Sequence, residues 1–151
     1  MLWAAVENGD QEMVERLIKG DVNINEQYQG WTPLMKAAED NKVGVVELLL
    51  KNRADIDMKK NKGRTALSFA VAPSMKRPTA SDALQVLLDN GADPLQKDNK
   101  RLTVRMRASR EKRKDAEVIL NELVPEKVKR RNARRERVLF AYCLRGSEFV
   151  F

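Results

Sequence analysis

Gly30-Trp31-Thr32-Pro33-Leu34 returns as Gly63-Arg64-Thr65-Ala66-Leu67. Self-similarity at a fixed spacing of this size marks a stacked-repeat architecture rather than a closed globule. It decides the fold class, and it moves the functional question from an active site to a recognition surface.

The register runs outward from that segment. Ala37-Ala38 recurs as Ala70-Val71, and the apolar run Val45, Val46, Leu48, Leu49, Leu50 recurs as Ala83, Leu84, Val86, Leu87, Leu88. Ala54-Asp55-Ile56-Asp57 recurs as Ala92-Asp93-Pro94-Leu95. An earlier copy opens the chain, with Leu2, Ala5-Val6, Leu17-Ile18 and Asn23-Ile24-Asn25 in register. A blurred later copy holds Thr103, Ala108, Ala116, Val118, Ile119, Leu120 and Leu123.

Each recurring position has a physical reason. Pro33 sits in a first helical turn, where its missing N–H costs nothing, and Thr32 before it is a good N-cap. The small pair Ala37-Ala38 lets helices of adjacent repeats approach closely. The broad apolar stripe from Val45 to Leu50 buries the second helix between neighbours. One such unit cannot bury its own apolar face, so the units must stack.

These residues resemble the ankyrin repeat family, over about residues 2 to 124. The resemblance rests on Gly30 with Thr32-Pro33-Leu34, on Ala37-Ala38, on the run Val45 to Leu50, and on Ala54-Asp55-Ile56-Asp57. Gly91-Ala92-Asp93 and the opening Asn8-Gly9-Asp10 add to it. The chain departs from the family pattern in two places. Met35 stands where the family carries His, and Asn41-Lys42 stands where it carries Gly-His, so the hydrogen bonds of those residues must be made otherwise and repeat stability is expected to be lower.

The sequence therefore predicts an all-α solenoid of about four repeats over residues 1–124, divided at about 1–29, 30–62, 63–100 and 101–124. A basic C-terminal extension, residues 125–151, is expected to be helical or disordered. Helices are expected near residues 2–8, 11–19, 33–40, 43–51, 66–72, 80–89 and 115–123, with the inner helix of the fourth repeat beneath the first basic cluster. The segment Ala72 to Ala80 is an insertion of five residues whose two prolines disfavour helix. It reads as a tolerated surface loop, with a binding loop as the sharper alternative.

Composition agrees with a folded domain: of 151 residues, 42% are hydrophobic and 34% charged. The single cysteine, Cys143, permits no internal disulfide and no Cys-x-x-Cys metal site, and fits an intracellular setting, cytoplasmic or nuclear. No apolar run approaches the ~20 residues of a membrane helix. The chain opens directly on a repeat helix, so no signal peptide is expected.

Charge is unevenly placed. Residues 1–99 carry a net of −2, and residues 100–151 a net of +9. One basic cluster includes Arg101, Arg105, Arg107, Arg110 and Arg113. Arg101 replaces the turn glycine, and Arg105 stands where Leu34 and Leu67 stand. A terminal repeat needs a polar outer face, which explains this cluster as a cap; an anion-binding face is the alternative. A second cluster, Lys127 to Arg137, includes Arg130, Arg131, Arg134 and Arg135. Only Val128 and Ala133 between Glu126 and Arg137 are apolar, so the segment has no stripe with which to dock on a core. It reads as a solvated arm, with a nuclear import signal or phosphate-binding arm as alternatives. The apolar end, Val138 to Leu144 and Phe149 to Phe151, reads as an element folding back on the solenoid or as a partner-docking segment.

The chain contains no His. That removes Ser-His and Cys-His pairs and His-bearing metal sites. No Gly-rich phosphate loop is present either. Asp55, Asp57 and Asp93 fall at the repeat-closing turns, where side chains that bond local backbone are the usual occupants. The reading is a non-enzymatic monomer without cofactor, metal or small-molecule substrate, whose partner is another protein.

The resemblance implies where that partner binds: a concave surface of finger turns and inner-helix faces. Carried over by position, its candidate residues are Tyr28, Gln29 and Trp31, then Asn61, Lys62 and Arg64, then Asn99 and Lys100, with Glu39 and Asp40 on the inner helix. Aromatic and Arg residues dominate interface energetics, which singles out Trp31 and Tyr28; packing of Trp31 on the next finger is the alternative. A second function class is electrostatic binding of nucleic acid or an anionic membrane through residues 100–137. No aromatic residue lies between Phe69 and Phe140, so only salt-dependent, sequence-independent backbone binding would follow.

Overall fold

The computed structural model describes residues 1–60, 62–72 and 82–123. Eight helices occur among them: α1 (Leu2–Asn8), α2 (Gln11–Lys19), α3 (Pro33–Glu39), α4 (Val43–Lys51), α5 (Ala66–Val71), α6 (Asp82–Asp89), α7 (Val104–Arg110) and α8 (Lys114–Leu123). They form four pairs. α1, α3, α5 and α7 pack in sequence as one layer, and α2, α4, α6 and α8 as the other. No strand occurs among the described residues; two isolated bridges, Tyr28 with Trp31 and Lys60 with Arg64, close finger turns. The fold is the helical repeat stack that the internal period predicts.

Helix starts follow from capping chemistry. The hydroxyl of Thr32 accepts the Met35 N–H at 3.2 Å, with Pro33 in the first turn. Thr103 accepts from Met106 at 3.4 Å, and Asp10 accepts from Met13 at 3.0 Å. Each satisfies one orphan donor and stabilises its helix by about 1 kcal/mol. Thr65 makes no such bond and is itself buried.

The core lies between the layers. Ala37, Ala38 and Ala70 are buried between adjacent inner helices, and Val45, Val46 and Leu49 are buried on α4, while Leu48 and Leu50 are half-buried. Burying a Leu or Val side chain contributes about 1.5–3 kcal/mol, so this shared layer dominates stability.

The Asn41-Lys42 departure from the family pattern is resolved by side chains that reach other repeats. Asn41 adopts a left-handed backbone, φ 51°, and its Oδ1 accepts the Ala83 N–H of α6 at 2.9 Å. Lys42 donates from Nζ to the Val6 carbonyl at 3.0 Å and to the Glu7 carbonyl, at the C-terminal end of α1. A cation there also complements the helix dipole. Met35 is fully buried.

The acidic turns are structural in a further way. Asn23, Asp55 and Asp93 each accept the N–H two residues on, at 3.0, 3.1 and 2.9 Å. In addition, Asn25 accepts the Asp55 N–H at 2.8 Å and Asp57 accepts the Asp93 N–H at 3.4 Å. The turns thus form a ladder from repeat to repeat.

The insertion, from Pro73 on, and the extension 125–151, with Arg130, Arg131, Arg134 and Arg135, lie outside the described residues.

Candidate recognition surface

The expected recognition side consists of three finger turns and the exposed edges of the inner helices. The first finger is the shortest. Tyr28 and Trp31 exchange both backbone hydrogen bonds at 2.9 Å across Gln29-Gly30. Both turn residues have positive φ, 51° and 76°, the signature of a tight primed turn that suits Gly. In the second finger the Lys60 N–H donates to the Arg64 carbonyl at 2.8 Å, and in the third the Asp98 N–H donates to the Leu102 carbonyl at 3.0 Å. These turns enclose three residues rather than two.

That difference shifts the expected correspondence by one residue. Tyr28, Lys60 and Asp98 are the equivalent positions, each closing its finger. Lys60, rather than Asn61, is therefore the counterpart of Tyr28, and Asn61 lies outside the described residues. Counting from the closing turns Asn23, Asp55 and Asp93, instead of from the turn glycines, would have found Lys60.

Three equivalent positions carry three chemistries. Tyr28 is 55% exposed and stacks on Trp3 of α1, ring centroids 5.5 Å apart. The two rings border a cleft of about 120 Å³ with Glu26 and Gln27 on its wall. Lys60 lies over the Trp31 ring, Nζ to centroid 3.5 Å. Asp98 is buried: its Oδ1 accepts the Lys100 and Leu102 N–H groups at 2.8 and 2.9 Å, and its Oδ2 pairs with Arg107.

Trp31 is half-buried. One side packs on Phe69 of the next inner helix, centroids 4.3 Å apart, and the Arg64 guanidinium sits 5.7 Å from the Phe69 ring. Packing on the neighbouring repeat is thus part of its role. Burial pushes the Lys60 ammonium below the usual lysine range; Glu39 opposes the shift, while Arg64 and Lys62 add to it by repulsion. Phe69 was not among the expected residues; it occupies the inner-helix position matching Lys36 and becomes visible only once Trp31 is placed.

On α3, burial would lower the Lys36 pKa, but the carboxylates of Asp40 and Glu39 outweigh it and raise it. Lys36 Nζ lies 3.3 Å from a carboxylate oxygen of each. Glu39 is half-buried, whereas Asp40 is buried and also lies 3.5 Å from Lys42. Asp40 is thus turned to its own chain rather than outward. Gln29, Lys62, Asn99 and Lys100 are exposed, and Arg64 is half-buried.

The basic cluster of the fourth pair divides. Arg105 and Arg110 are exposed. Arg107 is 6% exposed and held by Asp98, so it belongs to the interior rather than to an outer basic face. Arg113 is likewise buried, forking onto Asp115 at 2.9 and 3.1 Å. Its hydrogen bonds hold the Asp115 carboxyl below its usual value against the opposing effect of burial.

Gly63 shows why Arg101 can replace the glycine one repeat on. A Cβ at Gly63 would stand 2.6 Å from Asn99 Oδ1 and 3.2 Å from Asn99 N. The third finger packs on it, and the Asn99 N–H donates to the Lys62 carbonyl at 2.9 Å. Arg101, φ 59° and exposed, keeps the left-handed turn without a further described finger against it.

Among the described residues no group of His, Cys, Asp and Glu could hold a metal ion, and no helix is long and apolar enough to cross a membrane.

A family model described as ankyrin repeats (3 copies) matches residues 2–98. The chain is 39% identical over 79 residues to the human 2-5A-dependent ribonuclease, covering 50% of this chain and 11% of that protein. It is 31% identical over 111 residues to the ankyrin repeat, SAM and basic leucine zipper domain-containing protein 1 of Echinops telfairi, covering 73% of this chain and 23% of that protein. It is 34% identical over 97 residues to the ankyrin repeat and KH domain-containing protein mask-1 of Caenorhabditis elegans, covering 64% and 4%. The chain thus spans less than a quarter of the length of each.

Proposed function

The chain belongs to the ankyrin repeat family, whose repeats are generally protein-interaction modules, and from that premise we propose that it is a non-enzymatic adaptor binding a partner protein through its concave face. The observation that carries this reading is the Trp31–Phe69–Lys60 cluster. It offers a half-exposed indole, backed by the buried Phe69 ring, with a partly desolvated cation over it. Interfaces draw most of their energy from such anchors. The fingers around it are fixed by backbone hydrogen bonds, so little ordering entropy is lost on binding.

The test is a partner captured with the full chain and then measured against two double variants. Gln29→Lys with Glu39→Lys alters the concave face; Glu12→Lys with Glu15→Lys alters the outer layer. Loss of affinity confined to the first supports the reading. Loss confined to the second overturns it.

One relative is named as dependent on 2-5A, and that name motivates a second reading. A half-exposed indole with an ammonium beside it has the chemistry to stack a planar ring and attract an anion. Titration of the full chain with 2-5A, comparing Trp31→Ala and Lys60→Ala with the unaltered protein by calorimetry, tests it. Heat that both variants abolish supports it; the absence of heat with the unaltered chain rules it out. Electrostatic binding through residues 100–137 is distinguished from both by a steep fall of affinity with salt that survives Trp31→Ala.

A further inference from the structure

Resting on the protein-recognition reading, we propose that the second and third fingers form one cationic platform whose occupant is an acidic polypeptide segment. The second finger carries Lys59, Lys60, Lys62 and Arg64; the third carries Lys97, Lys100 and Arg101. The only carboxylate on either is Asp98. Its side chain is 3% exposed and is spent internally on Arg107 and on the turn's own N–H groups. It cannot neutralise the row. The first finger is the opposite: Glu26, Gln27, Tyr28 and Gln29 hold no cation.

The two basic fingers act as a unit. The Asn99 N–H donates to the Lys62 carbonyl, and Gly63 admits no Cβ beneath Asn99. Like charges are therefore held close by the fold. Within the second finger, burial, Arg64 and Lys62 disfavour the charged form of Lys60, against the opposing carboxylate of Glu39. An incoming carboxylate relieves that repulsion, and a preformed field of one sign speeds and orients encounter with an oppositely charged segment.

A polypeptide fits better than a nucleic-acid strand. A strand needs a series of rings on which successive bases stack, and residues 58–64 and 96–102 contain no aromatic side chain. Trp31 supplies one ring at the edge of the platform.

The experiment uses the full chain and a fluorescein-labelled peptide of about twelve alternating Glu and Ser residues, a length that crosses two fingers. Gln-Ser peptide and oligothymidylate of like length are the comparisons. Anisotropy should show binding of the Glu-Ser peptide at low salt, weakening towards about 0.15 M salt, and none of the Gln-Ser peptide. Lys62→Glu with Lys100→Glu should weaken it roughly tenfold or more. Lys129→Glu with Arg130→Glu in the C-terminal segment should change it less than about twofold. Circular dichroism melting checks that each variant folds. The proposal is overturned if the Glu-Ser peptide does not bind, if the C-terminal reversal matches the finger reversal, or if oligothymidylate binds more tightly. If the captured partner still depends on Gln29 and Glu39 while the acidic peptide fails, the adaptor reading stands and the charge assignment falls.

Discussion

Replacing Asn41 tests how neighbouring repeats are joined where the family's Gly-His pair is missing. Asn41 does two jobs. Its backbone turns left-handed, φ 51°, and its Oδ1 accepts the Ala83 N–H at 2.9 Å across the repeat boundary. Ala83 is 0% exposed, so water cannot replace the lost acceptor. Leaving a buried N–H unpaired costs about 1–3 kcal/mol. Placing an Ala in the left-handed region costs roughly 1 kcal/mol more than Asn, which tolerates it. Asn41→Ala should therefore destabilise by about 2–4 kcal/mol. Asn41→Gly removes only the hydrogen bond, because Gly enters that region freely, and should cost about 1 kcal/mol less than Ala. Asn41→Asp keeps an acceptor and should retain most of the stability. Urea unfolding of the full chain, followed by circular dichroism, resolves these differences. Equal losses for Ala and Gly would remove the backbone contribution from the argument. A change below about 0.5 kcal/mol in both would show that the inter-repeat bond contributes nothing.

Further outcomes follow from other positions. Leu49→Ala empties a fully buried site on α4 and should cost about 2–5 kcal/mol in the same unfolding assay. Gly63→Ala forces a Cβ into Asn99 at φ 68° and should cost about 1–3 kcal/mol. Because Arg113 holds the Asp115 carboxyl below its ordinary value of 3.8, its stabilisation is present above that pH and lost as pH falls through the lower folded value. Asp115→Asn should therefore flatten the acid limb of the stability–pH curve below about pH 4. For recognition, Trp31→Ala should weaken the captured partner by at least about 1 kcal/mol. Reversing Arg134, Arg135 and Arg137 to Glu should change it little, measured at two salt concentrations; the opposite ranking supports the basic-arm alternative.

The fold was legible because a repeat writes its packing into the sequence several times. Thr32-Pro33-Leu34 fixes a helix start by capping chemistry, and Val45 to Leu50 fixes a buried face by period; both signals are local. What stayed hidden depends on contacts between repeats. Asn41 gives no sequence hint that it will bond Ala83, and Lys42 none that it will reach Val6 and Glu7. Arg107 reads as one cation among many, yet Asp98, nine residues away, draws it inward. The finger register slipped for a related reason. The glycines Gly30 and Gly63 are the visible landmarks, but the closing turns set where each finger begins, and the first finger is one residue shorter.

That missing residue has a consequence for recognition. With a two-residue turn, the first finger's closing position carries Tyr28 back onto Trp3 of the first inner helix. With three-residue turns, the same position places Lys60 over Trp31, and Asp98 against Arg107. Turn length, through hairpin geometry, thus accompanies a division of the finger row into an aromatic end without a cation and a cationic end, with Trp31 at the seam. A partner that reads both ends must present an apolar group towards Tyr28 and carboxylates towards Lys62 and Lys100, in that order along the stack. Its orientation is then fixed by the chain, because reversing it would set carboxylates beside Glu26 and leave the cations unpaired, and like-charge juxtaposition of that kind costs more than a rim contact returns.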